Sequence, residues 1–186
     1  MKNIFIAIIM IATSMQLKAQ FIKEKSVNIA IGYGLSAPFD ENVDVIGTGF
    51  YIQGEYILSV NKWVDIRPYA GLVLTKKNPS DYEENEIEYK ATTKAFLIGA
   101  KTRLTAPIPW VAPYVEVGVG ASIGTFETFT PTTNIDNTGL QVHIPVSIGF
   151  ELGPKHAVDI AFTYYFQPSA EQFAGATAVG ITIPLK

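Results

Sequence analysis

Between positions 111 and 124 apolar and small or polar residues alternate without a break. Val111, Pro113, Val115, Val117, Val119, Ala121 and Ile123 form one register. Ala112, Tyr114, Glu116, Gly118, Gly120, Ser122 and Gly124 form the other. Side chains two apart share one face of a strand, so the stretch predicts a strand with one aliphatic face and one small or polar face. About a dozen residues is long for a globular strand and enough to cross a bilayer at a tilt.

The pattern recurs at 26–36, 46–60, 64–75, 92–104, 139–152, 157–167 and 175–185, least regularly at 92–104, and no helical period lies between any two segments. Pro68 falls inside the segment 64–75, where a missing N–H predicts a bulge or local break. Short turns are predicted near 61–63, 107–110 and 153–156, and mostly longer loops near 37–45, 76–91, 126–138 and 168–173. Long strands in even number, with short turns at one end and longer loops at the other, predict an all-β fold, an eight-stranded antiparallel up-and-down transmembrane barrel.

Period two alone also suits a soluble, lipocalin-like barrel that turns its apolar face inward around a ligand. The second face decides between them. A water-facing exterior is dense in Lys, Glu and Thr. Here that face carries Gly32, Gly34, Gly47, Gly49, Gly71, Gly99, Gly118 and Gly120, with few charges on each strand. Small residues suit the crowded lumen of a narrow barrel, and a nearly uncharged aliphatic face suits lipid. The aromatics agree: Trp63 and Trp110 sit at short turns, while Tyr33, Phe50, Phe162, Tyr164 and Phe166 lie on the outward register toward the longer loops. Two aromatic belts at the two water–lipid boundaries are the expectation.

Composition sharpens this picture. Hydrophobic residues make up 48% of the 186 and charged residues only 17%, yet no long apolar run follows the first twenty positions. The apolarity is spread at a short period, as membrane strands require and membrane helices do not. The formal net charge of −3, with no basic run, gives no reason to expect nucleic acid. Without cysteine there is no disulfide, thiol nucleophile or thiolate metal site. At the N-terminus Lys2, the apolar stretch 4–12 and Ala19 before Gln20 read as a cleaved signal peptide, 1–19, with the barrel domain at 20–186.

The inward register carries Glu55, Asp65, Arg67, Lys101, Arg103, Glu116, Glu151 and Asp159. Folding about the turn near 108 brings Lys101 almost opposite Glu116, and Glu55 and Arg67 approach diagonally across their own hairpin. Buried charges are tolerated when paired, so these residues predict a lumenal salt-bridge network that plugs the barrel. An ion pathway is the alternative, but eight strands leave room only for filling side chains or one small ligand. The acidic segment with Asp81, Glu83, Glu84, Glu86 and Glu88 is the most distinctive loop, either solvated or able to bind a cation or a partner.

With these features the region 26–185 resembles the small eight-stranded outer-membrane barrels, such as the OmpX type and the membrane domain of the OmpA type. Gly180, Ile183 and Leu185 resemble the family's C-terminal assembly signal, although this chain ends Pro184-Leu185-Lys186 and not in an aromatic residue. The cleavage site before Gln20 and the lone-barrel format also resemble outer-membrane barrel proteins common in Bacteroidetes. The resemblance implies a monomer in a bacterial outer membrane, in contact with its lipid, with a structural, adhesive or partner-binding role through loops that meet an extracellular protein or surface ligand.

Such barrels include lipid A deacylases and palmitoyltransferases, which use His with Ser and an acidic partner. His143 is predicted inward, but Ser147 on the same face lies about 13 Å along the strand, too far for contact. His143 and His156, the only histidines, fall on different elements, so no metal cluster is expected. The expectation is a protein that is not an enzyme and has no cofactor. A narrow pore and a lipid-modifying enzyme are the alternatives.

Overall fold

The computed structural model describes residues 22–38, 46–77, 90–129, 134–167 and 172–185. The leader 1–19 and the acidic segment bearing Asp81, Glu83, Glu84, Glu86 and Glu88 lie outside them. The described chain forms eight strands: β1 (Glu24–Pro38), β2 (Gly47–Ser59), β3 (Val64–Lys77), β4 (Lys90–Thr105), β5 (Val111–Phe129), β6 (Asn134–Leu152), β7 (Val158–Phe166) and β8 (Gln172–Pro184). Each pairs antiparallel with its neighbours in sequence, and β1 pairs with β8 from Ser26↔Pro184 to Pro38↔Gln172, which closes the barrel.

Alternation now has a direction. Val115, Val117 and Val119 on β5 are 51%, 56% and 61% exposed, whereas Tyr114 and Glu116, which alternate with them, are each 3% exposed. The same division holds along β8, where Val179, Ile181 and Ile183 point out and Ala176, Ala178 and Gly180 point in. An exterior built from exposed aliphatics over a polar, buried interior inverts a soluble protein and matches a bilayer-spanning barrel.

The expectation of a loop at 126–138 is corrected. β5 continues to Phe129 and β6 starts at Asn134, so only 130–133 separates them. The inward register of β5 carries on through Phe126 and Thr128, which are 0% and 1% exposed. Threonine favours strands, and its polarity concealed the period. Pro68 produces a break without a bulge. Pairing between β2 and β3 lapses between Glu55↔Tyr69 and Leu58↔Ile66, but the two sides advance equally, so the register passes through unchanged. Pro145 does the same between β5 and β6, where pairing lapses from Val117↔Val146 to Gly120↔His143.

A charge on the exposed aliphatic face provides a test. Val119→Arg is expected to cost about 2–4 kcal/mol if that position lies near the bilayer midplane. Urea titration of the chain folded into phospholipid vesicles measures it, and an unchanged midpoint would show that this face is not in hydrocarbon.

Candidate functional site

The inward-facing side chains stack in three layers. Nearest the short turns is an ionic layer. Glu55 on β2 accepts from Lys101 Nζ at 2.6 Å. Lys101 Nζ also lies 2.7 Å from Glu116 Oε2, so one ammonium bridges β2 and β5. Arg103 Nε donates to Glu116 Oε1 and its Nη1 to Glu151 Oε1, both at 2.7 Å. Its Nη2 is 3.7 Å from Asp159 Oδ2, and its guanidinium carbon sits 3.5 Å above the Tyr114 ring. Asp159 takes further hydrogen bonds from Asn28 Nδ2 at 2.7 Å and Tyr114 Oη at 3.1 Å.

Arg67, 0% exposed, occupies the middle of this layer. Its Nε is 2.6 Å from Glu55 Oε2, a close ion pair aligned too poorly to be a hydrogen bond. Its Nη1 is 3.8 Å from Glu116 Oε1 and 3.9 Å from Glu151 Oε1. Three cations (Arg67, Lys101, Arg103) therefore meet four carboxylates (Glu55, Glu116, Glu151, Asp159) in one buried cluster. Isolated, each would be prohibitive to bury; interlocked, each offsets the desolvation of its neighbours.

The structure thus brings together Glu55, Arg67, Lys101, Arg103, Glu116, Glu151 and Asp159. It leaves Asp65 out, which corrects its place in the predicted network. Asp65 pairs in register with Arg103, but that guanidinium turns away to Glu116, Glu151 and the Tyr114 ring. Asp65 instead lines a polar recess at the turn end with Lys23, Lys62, Glu151 and His156.

The middle layer is aromatic and amide-rich. Tyr51 Oη and Tyr165 Oη are 2.8 Å apart, and Tyr165 donates to Gln53 Oε1 at 2.9 Å. Gln53 in turn donates to Glu55 at 2.6 Å, which ties this layer to the ionic one. His143, 0% exposed, contacts Tyr69 Oη through Nε2 and Ser122 Oγ through Nδ1, the latter at 2.6 Å. Gly120 makes this arrangement possible, since a Cβ there would strike both Tyr69 Oη and His143 Nε2. The layer nearest the loops joins hydroxyls to apolar groups: Ser36, Thr75, Thr93, Thr128 and Gln172 are linked by hydrogen bonds around Val73, Leu97 and Phe126.

The Ser–His contact that spacing could not supply from Ser147 is supplied by Ser122 on the neighbouring strand. Ser147 instead bonds Thr163 at 3.0 Å. Yet Ser122 is 0% exposed, and Tyr69 stands where an orienting carboxylate would act. Among the described residues no group of three His, Cys, Asp or Glu side chains could hold a metal ion.

Outside, Trp63 and Trp110 are 59% and 65% exposed at the turn end. Tyr33, Phe50, Phe162 and Phe166 are exposed on the outer face, and Tyr164 is half-buried because it stacks on Phe173 at 4.9 Å and 6°. Sequence reasoning missed Phe173, which it placed in a loop. It also missed Asn28, Tyr51, Tyr69, Tyr114 and Tyr165 as lumenal partners, although all five share the inward register with the charges.

No protein-family model matches the chain, and no curated protein matches it. Solved structures do. Neisserial surface protein A superposes with a TM-score of 0.60 at 12% identity, over 87% of this chain and 97% of that one. Ail, the attachment invasion locus protein of Yersinia pestis, superposes with a TM-score of 0.50 at 16% identity, over 87% of this chain and 100% of that one. The fold is that of the small eight-stranded outer-membrane barrels. At these identities the likeness is one of architecture, and the lumenal network is read from this chain's own residues.

Two substitutions separate the network from its surroundings. Glu116→Ala leaves Lys101 and Arg103 short of a buried partner and is expected to cost about 3–5 kcal/mol. Asp65→Asn, outside the network, is expected to stay within about 0.5 kcal/mol. Denaturant midpoints in vesicles measure both, and equal effects would show that the ionic cluster is not a unit.

Proposed function

We propose that this protein is a closed outer-membrane barrel, a rigid membrane-embedded mount that acts through partner recognition at its loop end and not through transport or catalysis. The observation that carries this reading is the burial of the inward-facing side chains: Arg67, Arg103, His143 and Tyr165, among the bulkiest of them, are each no more than 2% exposed. A conducting path would have to displace ion pairs from several strands at once. The burial of Ser122 and His143, with no carboxylate behind the histidine, supports the non-enzymatic reading. The exposed aliphatic wall between two sets of aromatics supports the membrane location.

The loop end is the recognition end because the opposite rim consists of tight turns, Asn61 capping one through Trp63 N and Val64 N at 2.7 and 3.0 Å. Short capped turns offer little adaptable surface, whereas longer connections do.

Planar-bilayer recording tests the closed lumen. The protein is expected to give no conductance above background, whereas stable unitary currents would replace this reading with a narrow pore. Lipid A extracted from cells that overproduce the protein is expected to keep its mass; loss or gain of an acyl chain would establish an enzyme instead.

A further inference from the structure

The wall from β5 to β8 carries a groove on its outer side, close to the short turns. Two rows of outward side chains cross the wall there. Pro113, Phe150 and Ile160 stand in one row of the register, and Val115, Ile148, Phe162 and Thr177 in the next. All of them line one apolar hollow of about 390 Å³. The pair Gly149↔Ala161 lies between the two rows and lines the hollow as well, so it reaches down to the sheet itself. Its size falls within the roughly 300–1,000 Å³ of small-ligand sites.

A cation stands beside it. The turn 153–156 joins β6 to β7, and Lys155 is exposed in that turn. Among the described residues Lys155 takes part in none of the ion pairs. The turn is fixed to its neighbour: Gly153 N donates to Trp110 O at 2.9 Å, and the His156 ring meets Ile108 O through Nε2 at 3.2 Å. Trp110, 65% exposed, is thereby held next to the lysine's turn. Phe150 lies two strand positions, roughly 7 Å, from Leu152, where β6 ends and the turn begins. The headgroup region of a bilayer is about as deep, roughly 5–8 Å on each side of the hydrocarbon. Lys62, in the β2–β3 turn, lines the polar recess of Asp65 and Glu151 instead.

We infer that this groove and turn together hold one anionic phospholipid of the periplasmic leaflet. One acyl chain fills the hollow beside Phe150 and Phe162, and the phosphate sits on the Lys155 ammonium with the Trp110 indole at the same depth. The occupant follows from the place and the charge. The hollow opens on the wall that faces hydrocarbon, and short turns mark the periplasmic side of such a barrel. The exposed charge of the adjoining turn is positive, and an ammonium at a membrane surface attracts anionic lipid, whereas a zwitterionic headgroup carries its own cation. Lipid A belongs to the opposite leaflet and does not reach this end. The site stands apart from recognition at the loops and holds whether or not they bind a partner.

Labelling with a photoreactive lipid tests the inference. The full chain is folded into phosphatidylcholine vesicles that contain a small fraction of phosphatidylglycerol with a diazirine on one acyl chain. After irradiation the labelled residues are mapped by mass spectrometry. Labelling at 148–150 and 160–162 is expected to exceed that at Ile29 and Ile31, on the outer face of β1, about fivefold, the contribution of one lysine at a membrane surface. Lys155→Ala is expected to remove this excess and Lys62→Ala to leave it. Thr177→Phe, which fills the hollow from β8 with the lysine in place, is expected to remove it too. Equal labelling of the two regions, or equal loss in the two lysine variants, would overturn the inference, because lipid would then coat the wall without preference. So would an excess that survives Thr177→Phe, or an equal excess from a phosphatidylcholine probe.

Discussion

In hydrocarbon a backbone N–H without a partner has no water to fall back on, so a sheet that spans a membrane must have no edge there. Everything in this structure depends on β1 finding β8. That pairing runs from Ser26↔Pro184 to Pro38↔Gln172, and it turns seven hairpin-like contacts into a cylinder. Closure at eight strands then sets the bore, and the bore dictates what the inward register can hold. Glycines on β1 and β8 stand where inward side chains come close, as Gly34 does under Val73 and Thr75 of β3. Gly180, for example, lies against Asp159 and Asn28.

The interior follows a polarity gradient that closure imposes. Charged groups cluster toward the tight turns, phenols and amides fill the middle, and hydroxyls with apolar groups lie under the loops. One bridge links the first two layers: Gln53, which donates to Glu55 while it accepts from Tyr165. Both proline sites interrupt ladders without shifting register, so the facing positions of these layers are undisturbed on either side.

Much of this was legible in the sequence because a strand's period is short and the two environments differ so sharply. Val115, Val117 and Val119 could only face lipid if Glu116, Gly118 and Gly120 faced a narrow lumen. The charged residues of the lumen could be named for the same reason. What period two cannot convey is distance around the barrel. Ser122 reaches His143 across adjacent strands, and Asn28 reaches Asp159 from two strands away; neither follows from spacing along one segment. Alternation put Asp65 on the inward face with the other charges, but it could not show that the Arg103 side chain opposite it turns to Glu116, Glu151 and the Tyr114 ring. The extension of β5 and β6 was hidden by threonine and asparagine, which read as loop by composition and as strand by propensity.

The ionic layer has one further property. Glu55 belongs to β2, Arg67 to β3, Lys101 and Arg103 to β4, Glu116 to β5, Glu151 to β6 and Asp159 to β7, and Asn28 of β1 joins Asp159 to Thr182 of β8. Every strand holds a place in one connected set of polar contacts. The β2–β3 hairpin pairs Glu55 with Arg67 by itself, but Glu151 on β6 and Asp159 on β7 meet their cation, Arg103, only from β4. The charge balance of this layer is thus a property of the assembled barrel and not of its separate hairpins.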